Sequence, residues 1–144
     1  MNLSSLFRIS FDLALEAINS NESQSAIYSS SGLDAVTFIS ECKLIKLKYP
    51  RQIGKTTIVK NRLKELEQYS KEVKVEYYSD FWNQSECSFE ELLDFISVNK
   101  INALILDEVN PTLVSELINH MGEILKTNKN SVGLCDLPMI IWIE

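Results

Sequence analysis

Apolar residues recur along this chain with two alternating periods, and the switches between them outline its elements. Between Met1 and Ser20, Phe7, Phe11, Ala14 and Ile18 share one helical face, which predicts an amphipathic helix. The polar stretch Asn19 to Ser31, closed by Gly32, reads as a loop. A short helix is expected over Leu33 to Glu41 with Val36 and Ile39 inward. From Lys43 to Lys48 the period drops to two: Ile45 and Leu47 point one way, Lys46 and Lys48 the other. A parallel strand covered on both faces is nearly all apolar, so this one belongs at or near a sheet edge.

Helical spacing returns at Val59, Leu63 and Leu66, in a helix ending near Gln68. Val73, Val75 and Tyr77 alternate with charged residues and predict a strand over Glu72 to Tyr78. Ser88 and Glu91 form a capping box that opens a helix with Phe89, Leu92, Leu93 and Ile96 inward. Ile101 to Leu106 is apolar without alternation, the mark of a central strand. Asn110 and Pro111 supply a cap and a first-turn proline for a helix that buries Leu113, Leu117, Met121 and Ile124 and ends in the polar stretch Thr127 to Ser131. Met139 to Ile143 is a last strand. The order β-α-β-α-β-α-β implies a mostly parallel α/β sheet with helices on both faces and a ligand at the carboxyl ends of the strands.

Two segments with chemistry fall at those ends. Pro50-Arg51-Gln52-Ile53-Gly54-Lys55-Thr56-Thr57 lies between a predicted strand and a predicted helix. Backbone amides around a glycine, a lysine and a hydroxyl are what a polyphosphate and its magnesium require. The full phosphate-loop pattern has a further glycine at its first position, where this chain has Tyr49. Downstream, Leu104-Ile105-Leu106-Asp107-Glu108 ends an apolar strand in two carboxylates, one for the metal and one to orient a water.

At 144 residues, 45% hydrophobic and 24% charged, the chain is expected to form a single domain, with a helical extension over 1–42 and a nucleotide-binding core over 43–144. With no membrane-length apolar run and no secretory leader pattern at its start, it is expected in the cytoplasm, with no membrane partner. Cys42, Cys87 and Cys135 are widely spaced and odd in number, and read as buried or partly buried free thiols. The net charge of −6 opposes nonspecific attraction to nucleic acid. Yet Lys43, Lys46, Lys48, Arg51, Lys55, Lys60, Arg62 and Lys64 follow one another with no Asp or Glu between them. That basic segment is either a solvated strand face and helix flank or a contact for DNA or RNA. His120 reads as a surface or boundary residue on a helix flank, and Tyr77, Tyr78, Phe81 and Trp82 as core or rim packing.

At Arg51 to Thr57 and Leu104 to Glu108 the chain resembles the P-loop NTPases that carry an added catalytic glutamate. A loop reading Arg-Gln-x-Gly-Lys-Thr-Thr without the leading glycine is similar to the ATPase domain of viral large terminases. It is also similar to a group of AAA-type ATPases whose loop keeps that glycine. The likeness spans about Leu44 to Ile143 as architecture and is specific at the two motifs. It implies ATP and Mg2+ as cofactors and a three-layer sandwich. Lys55 would neutralise the phosphates, Thr56 and Asp107 would hold magnesium, and the loop from Arg51 through Gln52, Ile53, Gly54 and Lys55 to Thr57 would cradle the nucleotide. Glu108 would orient the attacking water and Arg51 would stabilise charge on the transferred phosphoryl group. The family's strand order, five-one-four-three-two, becomes 1-4-3-2 over the four strands here, and the sensor residue after strand four falls at or beyond Glu144. Turnover would then draw on a protein partner or another copy for missing elements.

Three functions follow as expectations. The first is a small Mg-ATP-binding protein with ATPase activity, working on or beside nucleic acid. The second is a nonenzymatic interaction or regulatory protein that retains a degenerate nucleotide-binding fold. The third, a nucleotide kinase, is weakened because Arg8, Arg51 and Arg62 are the only arginines and none forms a downstream lid.

Overall fold

The computed structural model describes residues 2–16, 32–50, 53–69, 74–79, 88–97, 101–127 and 137–144. Four parallel strands, β1 (Leu44–Leu47), β2 (Val75–Ser79), β3 (Ala103–Asp107) and β4 (Met139–Ile143), form one sheet in the order β1-β4-β3-β2. Helix α1 (Leu3–Glu16) and the short α2 (Ala35–Phe38) precede β1, and α3 (Lys55–Tyr69), α4 (Phe89–Ser97) and α5 (Pro111–Thr127) connect the strands in turn.

The chain crosses from β1 to the far edge at β2, then returns through β3 to β4. Parallel crossovers are right-handed, so a reversal of direction moves the connecting helix to the other face. The two cores follow that rule. On one face Leu104, Leu106, Ile140 and Trp142 pack with Phe38, Leu92, Ile96, Leu117 and Met121, from α2, α4 and α5. On the other, Ile105, Ile141 and Ile143 pack with Val59 of α3 and with Phe7, Phe11, Ala14 and Leu15 of α1. The result is the expected three-layer α/β sandwich. Every residue of β3 and β4 is buried, whereas β1 lies at the edge, where the Lys46 and Lys48 alternation put it.

Caps hold as read. Ser88 Oγ accepts from the Glu91 amide at 3.2 Å and Asn110 Oδ1 from the Thr112 amide at 2.9 Å. An unforeseen cap, Asp34, accepts from the Thr37 amide at 2.8 Å and starts α2.

Three details differ from expectation. The helix read as Leu33 to Glu41 is one α turn that continues as a π turn, Ile39–Lys43, so the strand begins at Leu44. That shift buries Lys43 completely, with its ammonium donating to the Leu137 carbonyl at 2.9 Å, and removes it from the basic strand face. Cys42, in the same turn, is exposed rather than buried. Finally, α1 carries a second apolar stripe opposite its buried one: Leu3, Leu6, Ile9 and Leu13 are all exposed. Among the described residues, no helix is long and apolar enough to cross a membrane. Ile18, Val73, Phe81, Trp82, Cys87 and Cys135 lie outside the described residues.

Candidate functional site at the carboxyl edge of the sheet

Gly54 ends the connection from β1 with φ of 81°, in the left-handed region that residues with a Cβ rarely adopt. A Cβ there would meet nothing within 4 Å, so the requirement for glycine is conformational rather than steric. Its carbonyl accepts the Ile58 amide at 3.0 Å, the first bond of α3. The amides of Lys55, Thr56 and Thr57 therefore head the helix, where helix geometry provides them no intrahelical acceptor and the macrodipole adds positive potential. This is the anion-binding end of a helix, set beside the carboxyl ends of β1 and β4.

Thr56, in the first turn of α3, meets Asp107, the last residue of β3. The Thr56 hydroxyl donates to Asp107 Oδ2 at 2.8 Å across 51 positions of sequence. Tyr77 of β2 donates its hydroxyl to the same oxygen at 2.6 Å. Asp107 is 1% exposed, and its other oxygen, Oδ1, is buried with no partner among the described residues. Burial first, and then the bond to the Asp107 carboxylate, push the Tyr77 phenol well above its ordinary pKa. The Lys60 ammonium stands 5.5 Å from the centre of the Tyr77 ring.

Lys55, half-buried, spans the loop. Its ammonium donates to the main-chain oxygens of Glu144 at 2.6 Å and Tyr49 at 3.1 Å. Glu108, directly after Asp107, is exposed and has φ of 53°, the only positive φ among the described non-glycine residues. Such a backbone costs about 1–2 kcal/mol for a residue with a Cβ. Together Lys48, Gly54, Lys55, Thr56, Thr57, Glu108 and Asn110 line an open cleft of about 1080 Å³, ample for a nucleotide. Asp107 does not line it and acts on it through Thr56.

Tyr49, where the full phosphate-loop pattern has glycine, turns away from the cleft toward α1. Its hydroxyl is 2.6 Å from that of Ser10, and its ring meets Phe7 edge-on at 5.3 Å. Ser4 of the same helix donates to the Ile53 carbonyl at 2.7 Å. Helix α1 thus grips the loop at both ends, Tyr49 and Ile53, and the bulky first residue leaves the cleft open.

The structure brings together Gly54, Lys55, Thr56, Thr57, Asp107 and Glu108, whereas Ile53 packs against the α1–α3 core; Arg51 and Gln52 lie outside the described residues. The basic segment is not one uniform face. Lys46 pairs with Glu144 at 3.3 Å and sits 4.6 Å over the Trp142 ring. Arg62 bonds Asp12 at 2.7 Å and also reaches Glu65, which raises its pKa further. Sequence reasoning assigned Tyr77 to packing and had no role for Ser4 or Ser10. The one signal available was a strand tyrosine at the same carboxyl edge as Asp107.

Among the described residues, no three His, Cys, Asp or Glu side chains stand together as a metal cluster. Magnesium needs none when water and phosphate oxygens fill most of its shell. A hydroxyl that donates its hydrogen bond to a buried carboxylate with one oxygen still unmatched is a ligand set that fits it. No protein-family model, curated protein or solved structure matches this chain, so the chemistry of the site rests on its own geometry.

Proposed function

We propose that this chain binds a nucleoside triphosphate with magnesium at the head of α3 and hydrolyses it with Glu108 orienting the water. The observation that carries the reading is the 2.8 Å bond between Thr56 and Asp107, which joins a glycine–lysine–threonine helix start to the acidic end of a central strand. With its proton committed to Asp107, the Thr56 oxygen turns its lone pairs toward the cleft, where a hard cation would take them. Magnesium, when bound, would neutralise charge on the phosphates. The α3 amides receive phosphate oxygens, and the Lys55 ammonium moves from the main-chain oxygens of Tyr49 and Glu144 to the phosphates, where its hydrogen bonds are charge-assisted. Glu108 borders the cleft from a strained backbone, the kind of local cost that persists where a side chain must be aimed.

A second reading, a nonenzymatic binding or regulatory protein, is favoured by one feature: Lys55 already has two main-chain acceptors, Tyr49 in the loop and Glu144 after β4. The two separate in one set of measurements with ATP as probe. Metal-dependent ATP binding lost in Lys55→Ala, with turnover lost but binding kept in Glu108→Gln, supports the ATPase. Binding without turnover in the unaltered chain, with or without double-stranded DNA, supports the second reading. ATP binding indifferent to Lys55→Ala overturns both as nucleotide functions of this cleft.

A further inference from the structure

Asp107 is held asymmetrically. Thr56 and Tyr77 both donate to Oδ2, at 2.8 and 2.6 Å, while Oδ1 is buried and unmatched among the described residues. A buried acceptor left without a donor is unfavourable, and more so when charged, so the arrangement is one the fold maintains against a cost. Tyr77 is not needed to fill that corner as a hydroxyl. Phenylalanine would supply the same ring for packing beside Val75 against the α1–α3 core. The hydroxyl adds a second donor on the oxygen that already receives Thr56, and it also lies within reach of the Thr56 and Ser79 hydroxyls.

Two donors on one oxygen fix the carboxylate's rotation. With Oδ2 locked, the Thr56 proton has one favoured direction, and its lone pairs face the cleft. The whole acceptor capacity of Oδ1 stays open for a donor that arrives with the ligand, such as a cation-bound water. Without the phenol, the carboxylate can rotate and Thr56 can bond either oxygen, so the threonine's orientation toward the cleft is no longer unique.

We propose that Tyr77 is a positioning residue for divalent-cation binding, acting through Asp107 on Thr56, an inference that rests on the nucleotide reading above. The partner it serves is a hard, oxygen-seeking cation of the magnesium class, accompanied by phosphate. Outer-shell groups that orient metal-binding side chains are typically worth 10–100-fold in metal affinity.

The test is a titration of Mg2+, and in parallel Mn2+, against binding of a fluorescent ATP analogue to the unaltered chain and to Tyr77→Phe. Tyr77→Phe should need about tenfold more metal for half-saturation, while its affinity for the analogue without metal, and at saturating metal, stays unchanged. Replacing Tyr77 with 4-aminophenylalanine, which keeps a para donor, should restore the metal requirement. An unaltered chain that shows no metal-dependent binding removes the nucleotide reading and this role with it. Metal-dependent binding in the unaltered chain with the same requirement in Tyr77→Phe leaves the nucleotide reading standing and overturns the role of Tyr77. Loss of folding in Tyr77→Phe assigns the hydroxyl to stability alone and overturns it as well.

Discussion

The Tyr49 hydroxyl lies 2.6 Å from the Ser10 hydroxyl, which ties the first position of the candidate phosphate loop to the middle of the N-terminal helix. The contact explains how a residue with a large ring stands where the pattern has glycine. The ring is drawn out of the cleft by Ser10 and Phe7, and the loop is shaped from outside by α1 rather than by its own flexibility.

Restoring the glycine should therefore harm the protein. Tyr49→Gly completes the phosphate-loop pattern, but it deletes a half-buried ring from the α1 contact and loosens the backbone. A loss of about 2–3 kcal/mol is expected in urea unfolding, against about 1 kcal/mol for Tyr49→Phe, which removes only the hydroxyl. Equal or greater stability in Tyr49→Gly would mean that α1 does not shape the loop.

Glu108 offers a separation of stability from activity. At φ of 53° a glycine is comfortable and a glutamate is not. Glu108→Gly should raise the unfolding free energy by up to about 1 kcal/mol, the relief of strain less the entropy gained by the unfolded chain. It should also abolish any ATP turnover. Glu108→Gln keeps the backbone strain and should leave stability within about 0.5 kcal/mol of the parent. A Glu108→Gly variant that melts lower than the parent would show that the residue is held there by favourable contacts.

Much of this was legible in the sequence. Ala103 to Leu106 has no polar interruption and lies in a central strand, and Lys46 and Lys48 marked the edge, because burial on one or both faces writes directly into side-chain type. The pairing of Thr56 with Asp107 was legible because the hydrophobic pattern puts one at a helix start and the other at a strand end on the same edge of the sheet. What stayed hidden depended on distant partners. The direction of the Tyr49 ring is set by Ser10 and Phe7, the burial of Lys43 by a carbonyl 94 positions away, and the role of the Tyr77 hydroxyl by a carboxylate on the next strand. A tyrosine in an alternating strand reads as packing until its neighbour is known.

Alkaline pH should expose the Tyr77 bond. Its pKa is raised in the folded chain, while the unfolded chain titrates near the ordinary value of about 10. Below pH 10 both states hold the proton and the contribution is fully present. Above it the unfolded state binds fewer protons than the folded state, so stability falls as pH rises toward the folded pKa. Denaturant midpoints compared between pH 8 and pH 11 should drop more for the parent than for Tyr77→Phe; the remaining tyrosines are common to both and cancel. Parallel pH curves for the two proteins would show that the phenol has no raised pKa.

Gly122 sits on α5 where α2 crosses it, and its lack of a side chain sets how closely the helices approach. A Cβ at this position would stand 2.6 Å from Cγ2 of Val36, well inside contact distance. Val36 is β-branched and stiff, so it cannot swing aside, and its backbone is close behind at 3.7 Å. In an exposed helix, alanine for glycine would gain about 1 kcal/mol from propensity. Here overpacking should outweigh that gain, for a net loss of about 1–2 kcal/mol in Gly122→Ala. The clash is with a single methyl group, so Val36→Ala should rescue the variant: the double substitution is expected to be more stable than the sum of the two separate changes by about 1 kcal/mol or more. Strict additivity would place the penalty in the backbone of α5 and not in its contact with α2.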